Sequence, residues 1–448
     1  MAAPTAAPDH ALTTSPDSGG ATGARTSADR PALRRCVAGS TEAFARDAWS
    51  RAPFLSTYDD LRTSQAACGD APSPAAFGDI FSLDAVDELL SRRGLRTPFI
   101  RIAKDGSVVA ERRYTRGGGT GALIGDQVAD DRVLSLFADG HTVVLQGLHR
   151  LWPPLIDFAG ALISDLGHPV QINAYITPPS SQGFSAHYDV HDVFVLQVAG
   201  EKRWRVHGPV RPEPLRDEPW TDHRVAVEKR AAEEPLLEAV LRPGDALYLP
   251  RGYLHAAEAL GGTSCHLTVG VHPVTRQAVL DAVVGIVAGD AALRSSLPLG
   301  VDLSDAAQVE HDVRASIAAI VDRLSTVSTA EVAQRLAART VGQTRPAPVA
   351  PLAQAHALEH LDGDSIIAVR SHLQHAVRDE DSDLVLTLPD RILRLPTSAG
   401  KAVRAVLGGA RLHVHELPDL SPEDALVLTR RLVREGVAVI EDASGAGR

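Results

Sequence analysis

A chain of 448 residues, 44% hydrophobic and 23% charged, carries enough apolar side chains for roughly two to four ordinary domains. Its formal net charge of −11 argues against a dedicated nucleic-acid binder, whose affinity comes largely from Lys and Arg on phosphates. Three scattered cysteines, Cys36, Cys68 and Cys265, offer neither a disulfide framework nor a Cys-rich zinc site and point to a reducing compartment.

Residues 1–38 are rich in Ala, Pro, Ser, Thr and Gly and are expected to be a disordered tail. They lack the basic start and apolar run of a signal peptide, and no later stretch has the apolar length of a membrane span. A cytoplasmic protein with no membrane partner is expected. In TEAFARDAWSRAPFL the spacing of Phe44, Ala48 and Trp49 predicts a helix, with Thr41 as its N-cap. Further helices are predicted over Leu83–Arg92 and Pro154–Leu166.

The middle of the chain reads as strands. HTVVLQ from about Thr142, then Val170–Pro178, Asp192–Gly200, Lys202–Gly208, Asp245–Pro250 and Cys265–Pro273 are short, β-branched and bounded by Gly or Pro. A hairpin turn is expected at Ala199–Gly200–Glu201. Strands without intervening helical periodicity suggest an antiparallel barrel or jelly roll over residues 39–274. Residues 275–343 are Ala-, Val-, Ile- and Leu-rich at helical spacing, with starts at Asp302–Ser304 and Ser328–Thr329, and are expected to form a helical dimerisation segment. The Pro-rich linker Thr344–Pro351 opens a C-terminal unit, 344–448, whose mixed strands and helices suggest a winged-helix-like domain. That unit holds more Asp and Glu than Lys and Arg, so a protein contact is expected of it rather than direct DNA binding.

The chemistry lies in SQGFSAHYDVHDVFVLQVAGEKRW. His187 and Asp189 are two residues apart, and in extended backbone such a pair points to one face. A third ligand must come from elsewhere. The best candidate is His255, which follows a strand ending at Pro250 and a Gly-containing turn. Two neutral imidazoles and one carboxylate occupy one face of an octahedron and leave three positions open, the pattern of non-haem iron(II) oxygenases. A 2-oxo acid takes two of those positions and dioxygen the third. His191 shares the parity of His187, so Asp189 with His191 is a competing ligand pair. His207, His266 and His272 have a plain reading as strand or turn residues.

The run NAYITPPSSQGFSAHYDVHDVFVLQVAGEKRWRV, with VVLQGLHRLWPPL before it and GDALYLPRGYLHAAE after it, resembles the JmjC-type cupin proteins called ribosomal oxygenases. The resemblance covers roughly residues 41–273. It implies a mainly β core, a JmjC/cupin double-stranded β-helix, with iron(II) on His187, Asp189 and His255. It implies that Lys202 holds the C5 carboxylate of 2-oxoglutarate, that Asn173 and Tyr175 line the cosubstrate pocket, and that Thr268 adds a hydrogen bond. Gly183 and Phe184 would shape the mouth, and Trp204 would be core. The activity implied is 2-oxoglutarate- and O2-dependent hydroxylation of a protein side chain, on an Arg or His of a ribosomal protein, by a homodimer. Hydroxylation of a peptide natural product or small metabolite, removal of N-methyl groups, and a non-catalytic binding cupin are the alternatives.

Overall fold

The computed structural model describes residues 30–68, 77–104, 106–121, 123–179 and 185–441. Residues 1–29, most of the expected tail, lie outside them. The end of that tail is not a tail. Leu33–Arg35 form a 3-10 turn, and the N–H groups of Ala32 and Leu33 both donate to Asp165 Oδ2, at 2.8 and 3.0 Å. Ala32, Leu33, Cys36 and Val37 are buried in the main core. The low-complexity composition hid four apolar side chains that have a surface to cover. The helix Thr41–Asp47 follows, capped by Ser40, one residue before the expected cap, whose Oγ accepts from Ala43 N–H.

The centre is a nine-stranded antiparallel sheet. In spatial order its strands are Phe54–Ser56, Ala246–Leu249, Asp192–His207, Leu254–Val271, Val170–Thr177, Thr142–Leu145, Ile100–Lys104 and Ser107–Val108, with Leu237–Leu241 pairing alongside Asp192–His207. Two long strands form its spine. Asp192–His207 pairs with Leu254–Val271 from His207↔Leu254 at one end to Asp192↔Val271 at the other. Helices Leu83–Arg92 and Pro153–Leu166 stand where periodicity predicts them; both bury one apolar face, and Pro153 opens the second as a residue whose missing N–H costs a helix start nothing.

The hairpin expected at Ala199–Gly200–Glu201 is instead a bend inside one continuous strand. Gly200 has φ +63°, and the partner strand loses register between Leu260 and Cys265 directly opposite. A Cβ at Gly200 would collide with the Thr263 carbonyl, so only glycine lets the two backbones approach. The irregularity also shifts side-chain parity. Val193 and Val195 face one cavity, and so do Lys202 and Trp204, although they lie an odd number of residues further along.

Beyond the sheet come helices Arg276–Val287, Ala306–Thr326 and Thr329–Val341. The C-terminal unit has its own core, including Ile367, Leu384, Val403 and Leu432. It contains helix Pro351–Glu359, a three-stranded sheet with Ile366–Val369 between Leu412–His413 and Ala438–Glu441, and a meander of Ala376–Glu380, Asp383–Thr387 and Ile392–Pro396. Helices Gly400–Leu407 and Pro422–Arg434 cover them. Among the described residues no helix is long and apolar enough to cross a membrane.

Candidate metal centre

His187 and Asp189 lie in extended chain just ahead of strand Asp192–His207, and His255 is the second residue of strand Leu254–Val271. An isolated antiparallel bridge pairs His187 with His255. The Asp189 carbonyl accepts from Gly252 N–H at 3.0 Å, which fastens the second ligand to the turn before the third. One donor atom from each of the three side chains lies within 4.8 Å of the other two. His255 Nε2 is 3.7 Å from Asp189 Oδ2, and the two imidazole centroids are 4.5 Å apart. His191, the competing candidate, turns away and stacks on His272 at 5.0 Å.

The donor set fits a divalent transition metal. His187 Nδ1 is 2.8 Å from the Ser185 carbonyl, and His255 Nδ1 is 3.1 Å from the Tyr253 carbonyl. Each Nδ1 therefore carries the proton it donates, and each Nε2 keeps a lone pair for a metal. Burial, followed by the charge of His187, pushes His255 down to about 4, so it is neutral at physiological pH, as a ligand must be. Burial alone would raise the Asp189 carboxyl, but His191, His255, His187 and His272 together outweigh it and hold the group below the usual carboxylate range. Asp189 therefore stays an anionic ligand.

A cavity of about 80 Å3 continues inward from this triad. It is lined by Thr142, Tyr175, Thr177, Val193, Val195, Lys202, Trp204, His266 and Thr268 together with the triad and Ala256–Ala257. Lys202 lies at 4% exposure, and its Nζ donates to Thr177 Oγ1 at 3.2 Å. Among the described residues no carboxylate stands within ion-pair distance of it. Burial brings its ammonium down to about 8. A buried cation with only a hydroxyl partner costs free energy until an anion reaches it. Two more cavity groups, Trp204 Nε1 and His266 Nδ1, are buried without a hydrogen-bond partner among the described residues. These orphaned groups fit a small polar anion lying between the triad and Lys202.

The sequence-predicted cosubstrate residues divide. Lys202, Tyr175 and Thr268 line the cavity. Asn173 shares the face of Tyr175, but it stands outside the cavity lining, and its Oδ1 accepts from Gly147 N–H at 3.0 Å. Gly183 and Phe184 lie outside the described residues. Sequence reasoning missed Thr142 and Thr177, hydroxyls on two neighbouring strands 3.3 Å apart, and it left His266 as a plain strand residue. His266 stacks on Tyr175 with centroids 5.1 Å apart and meets Trp204 edge-on. Arg101 hydrogen-bonds the Tyr175 hydroxyl, whose proton burial holds up to about 12. Parity along Val170–Thr177 would have pointed to Thr177, since it shares a face with Tyr175.

The antiparallel β core around this triad has the JmjC/cupin fold, and residues 155–279 match the JmjC domain family. The fold is that of E. coli ycfD: the two superpose with a TM-score of 0.51 over 90% of this chain and 99% of that one, at 17% identity. A structure described as YcfD, a ribosomal oxygenase from E. coli, in complex with cobalt and 2-oxoglutarate matches with a TM-score of 0.50 over 91% of this chain and 100% of that one, at 16% identity. Among curated proteins, ribosomal oxygenase 1 of Gallus gallus is 30% identical over 230 residues, 51% of this chain and 34% of its own. The bifunctional lysine-specific demethylase and histidyl-hydroxylase NO66 of Aedes aegypti is 44% identical over 104 residues, 22% of this chain and 15% of its own. The chain thus spans about a third or less of the length of these curated relatives.

Proposed function

We propose that the chain is an iron(II)- and 2-oxoglutarate-dependent oxygenase that hydroxylates a side chain of a ribosomal protein. The observation that carries this is the pairing of the two features in one cavity: two Nε2 lone pairs and a carboxylate converge on it, and a buried ammonium with no carboxylate partner among the described residues lines it too. His187, Asp189 and His255 would hold iron(II). When bound, iron(II) supplies the coupling of 2-oxoglutarate decarboxylation to insertion of one oxygen atom into a C–H bond, with succinate and carbon dioxide as the other products. Lys202 would take the C5 carboxylate as a charge-assisted hydrogen bond, with Thr177 holding the ammonium in line. Tyr175, kept protonated and pinned by Arg101, has a hydroxyl to donate, and Trp204 and Thr268 wall the cavity against bulk water. No side chain is needed as a general base for the hydroxylation, because the cofactor carries that chemistry.

A ribosomal protein as the target is supported by the name borne by the relatives and by YcfD, and a His side chain by the histidyl-hydroxylase name of the NO66 relative. A chain of net charge −11 draws a basic target by long-range attraction. Incubation with iron, 2-oxoglutarate and intact ribosomal proteins tests the reading: one ribosomal protein should gain the mass of one oxygen atom, with stoichiometric succinate. The demethylase activity in the name of the NO66 relative favours a second reading, and formaldehyde release would select it.

The working unit we propose is a homodimer. Helix Ala306–Thr326 has no buried residue, yet Val313, Ile317, Val321 and Leu324 form an apolar row along one face, each 43–61% exposed. A second copy of the chain would cover that row.

A further inference from the structure

The C-terminal unit opens with the sequence PLAQAHALEH, in which His356, Glu359 and His360 are spaced at i, i+3 and i+4. Helix Pro351–Glu359 puts that spacing on one face. His360 is its C-cap and leaves the helical region at φ −106° and ψ 11°, yet its ring stays beside that of His356. The two imidazole centroids are 4.7 Å apart, and His356 Nδ1 is 3.7 Å from Glu359 Oε2. One donor atom from each residue lies within 4.8 Å of the other two. Among the described residues these three side chains have no polar partner except one another.

We infer that this face of the helix is a second metal site, ligated by His356, Glu359 and His360 and selective for a borderline transition-metal ion such as Zn2+. Around a tetrahedral zinc with bonds of ~2.0–2.1 Å, neighbouring donors stand about 3.3 Å apart, so the three side chains close on an ion by small rotations of χ angles. Those rotations are free to occur. His356 and Glu359 are 72% and 73% exposed, and nothing must be displaced or dehydrated except the ligands themselves. Two imidazoles and one carboxylate exclude Mg2+ and Ca2+, which take oxygen ligands, and favour the later first-row metals. All three side chains are exposed to solvent, so the ion completes its shell with water and acts structurally. It staples the last turn of a helix whose middle is already clamped: Gln354 gives and takes a hydrogen bond with the Ile440 main chain, both at 2.9 Å. Zn2+ at this site would therefore rigidify the joint between the helical segment and the C-terminal unit, independently of the triad in the barrel.

A Zn2+ titration of the full chain against a chromophoric chelator at neutral pH tests this, run on the wild type, His356→Ala, His187→Ala and the double variant. Two ions per chain are expected for the wild type, one for each single variant and none for the double. Glu359→Gln should keep the second ion with at least about tenfold weaker affinity. Equal stoichiometry in the wild type and His356→Ala overturns the surface site. Equal stoichiometry in the wild type and His187→Ala counts only against the barrel triad, so the two readings fail separately.

Discussion

His187 and His255 exchange two main-chain hydrogen bonds: His187 N–H donates to the His255 carbonyl at 3.2 Å, and His255 N–H donates to the His187 carbonyl at 2.8 Å. Two ligands remote in sequence are thus set side by side by backbone, before any ion arrives. A site built this way separates folding from metal binding, because the bridge does not involve the imidazoles.

The first prediction uses that separation. His187→Ala and Asp189→Ala should fold with unchanged far-UV circular dichroism, yet lose iron affinity in the barrel by more than about 100-fold and abolish succinate release. Retained 2-oxoglutarate consumption in either variant would remove these residues from the site.

Lys202 gives a pH prediction. Its folded-state value, about 8, lies below the unfolded value of 10.5, so the folded chain binds fewer protons between them. Stability of the ligand-free chain should rise with pH across that window, and the cost of the buried ammonium should be fully present below pH 8. Lys202→Met should remove the dependence and stabilise the ligand-free chain at neutral pH by about 3 kcal/mol. The same substitution should raise KM for 2-oxoglutarate strongly and leave metal affinity unchanged. In the wild type, KM should climb roughly tenfold per pH unit above 8, as the neutral amine must take up a proton to meet the carboxylate. Urea denaturation and initial-rate assays across pH check both arms.

Gly200→Ala is predicted to damage cosubstrate binding from a distance. Its φ of +63° and the nearby Thr263 carbonyl leave no room for a methyl group, so the bend must open and carry Lys202 with it. KM for 2-oxoglutarate should rise at least about fivefold, with a lower melting temperature, because a backbone shift that misplaces a binding group weakens it steeply.

This bend also marks how far the sequence could be read. The triad was legible, because HxD in extended chain and a histidine after a strand-ending turn obey local rules. The core helices were legible from their periodicity. The cavity beyond the triad was not. Strand parity counted from Val193 and Val195 points Lys202 out of the barrel, and only the irregularity at Gly200 and Leu260–Cys265 turns it inward. The same irregularity puts His255 and His266 on one cavity despite opposite parity, which is why His266 passed as a plain strand residue. Resemblance to a family supplied Lys202, and parity with Tyr175 points to Thr177, while Thr142, which no motif marks, needed the three-dimensional pairing of its strand with Val170–Thr177.

Asp192 ties the two ligand segments to the turn that follows helix Thr41–Asp47. It is fully buried. Its Oδ1 accepts from Arg251 N–H at 2.9 Å, and its Oδ2 accepts from the Tyr248 hydroxyl at 2.9 Å and from Ser50 Oγ at 3.2 Å. Asp192→Ala leaves the buried Arg251 guanidinium without this carboxylate and should cost about 3 kcal/mol in denaturant unfolding. Asp192→Asn, which can still accept from Arg251 N–H, should recover part of that loss and most of the metal affinity.

Ile317→Asp, in the apolar row of helix Ala306–Thr326, should convert a dimer into a monomer in sedimentation equilibrium without lowering the melting temperature of the barrel. A wild-type mass equal to one chain would refute the dimer.

The most direct test of the metal centre is an anaerobic titration of the iron(II)-loaded chain with 2-oxoglutarate, followed by visible absorption. A 2-oxo acid chelated to ferrous iron gives a charge-transfer band. The wild type should develop it to saturation at one equivalent per chain, and His255→Ala should not develop it at all. A band of equal strength in His255→Ala, or none in the wild type, would contradict the convergence of His187, Asp189 and His255 on one ferrous ion.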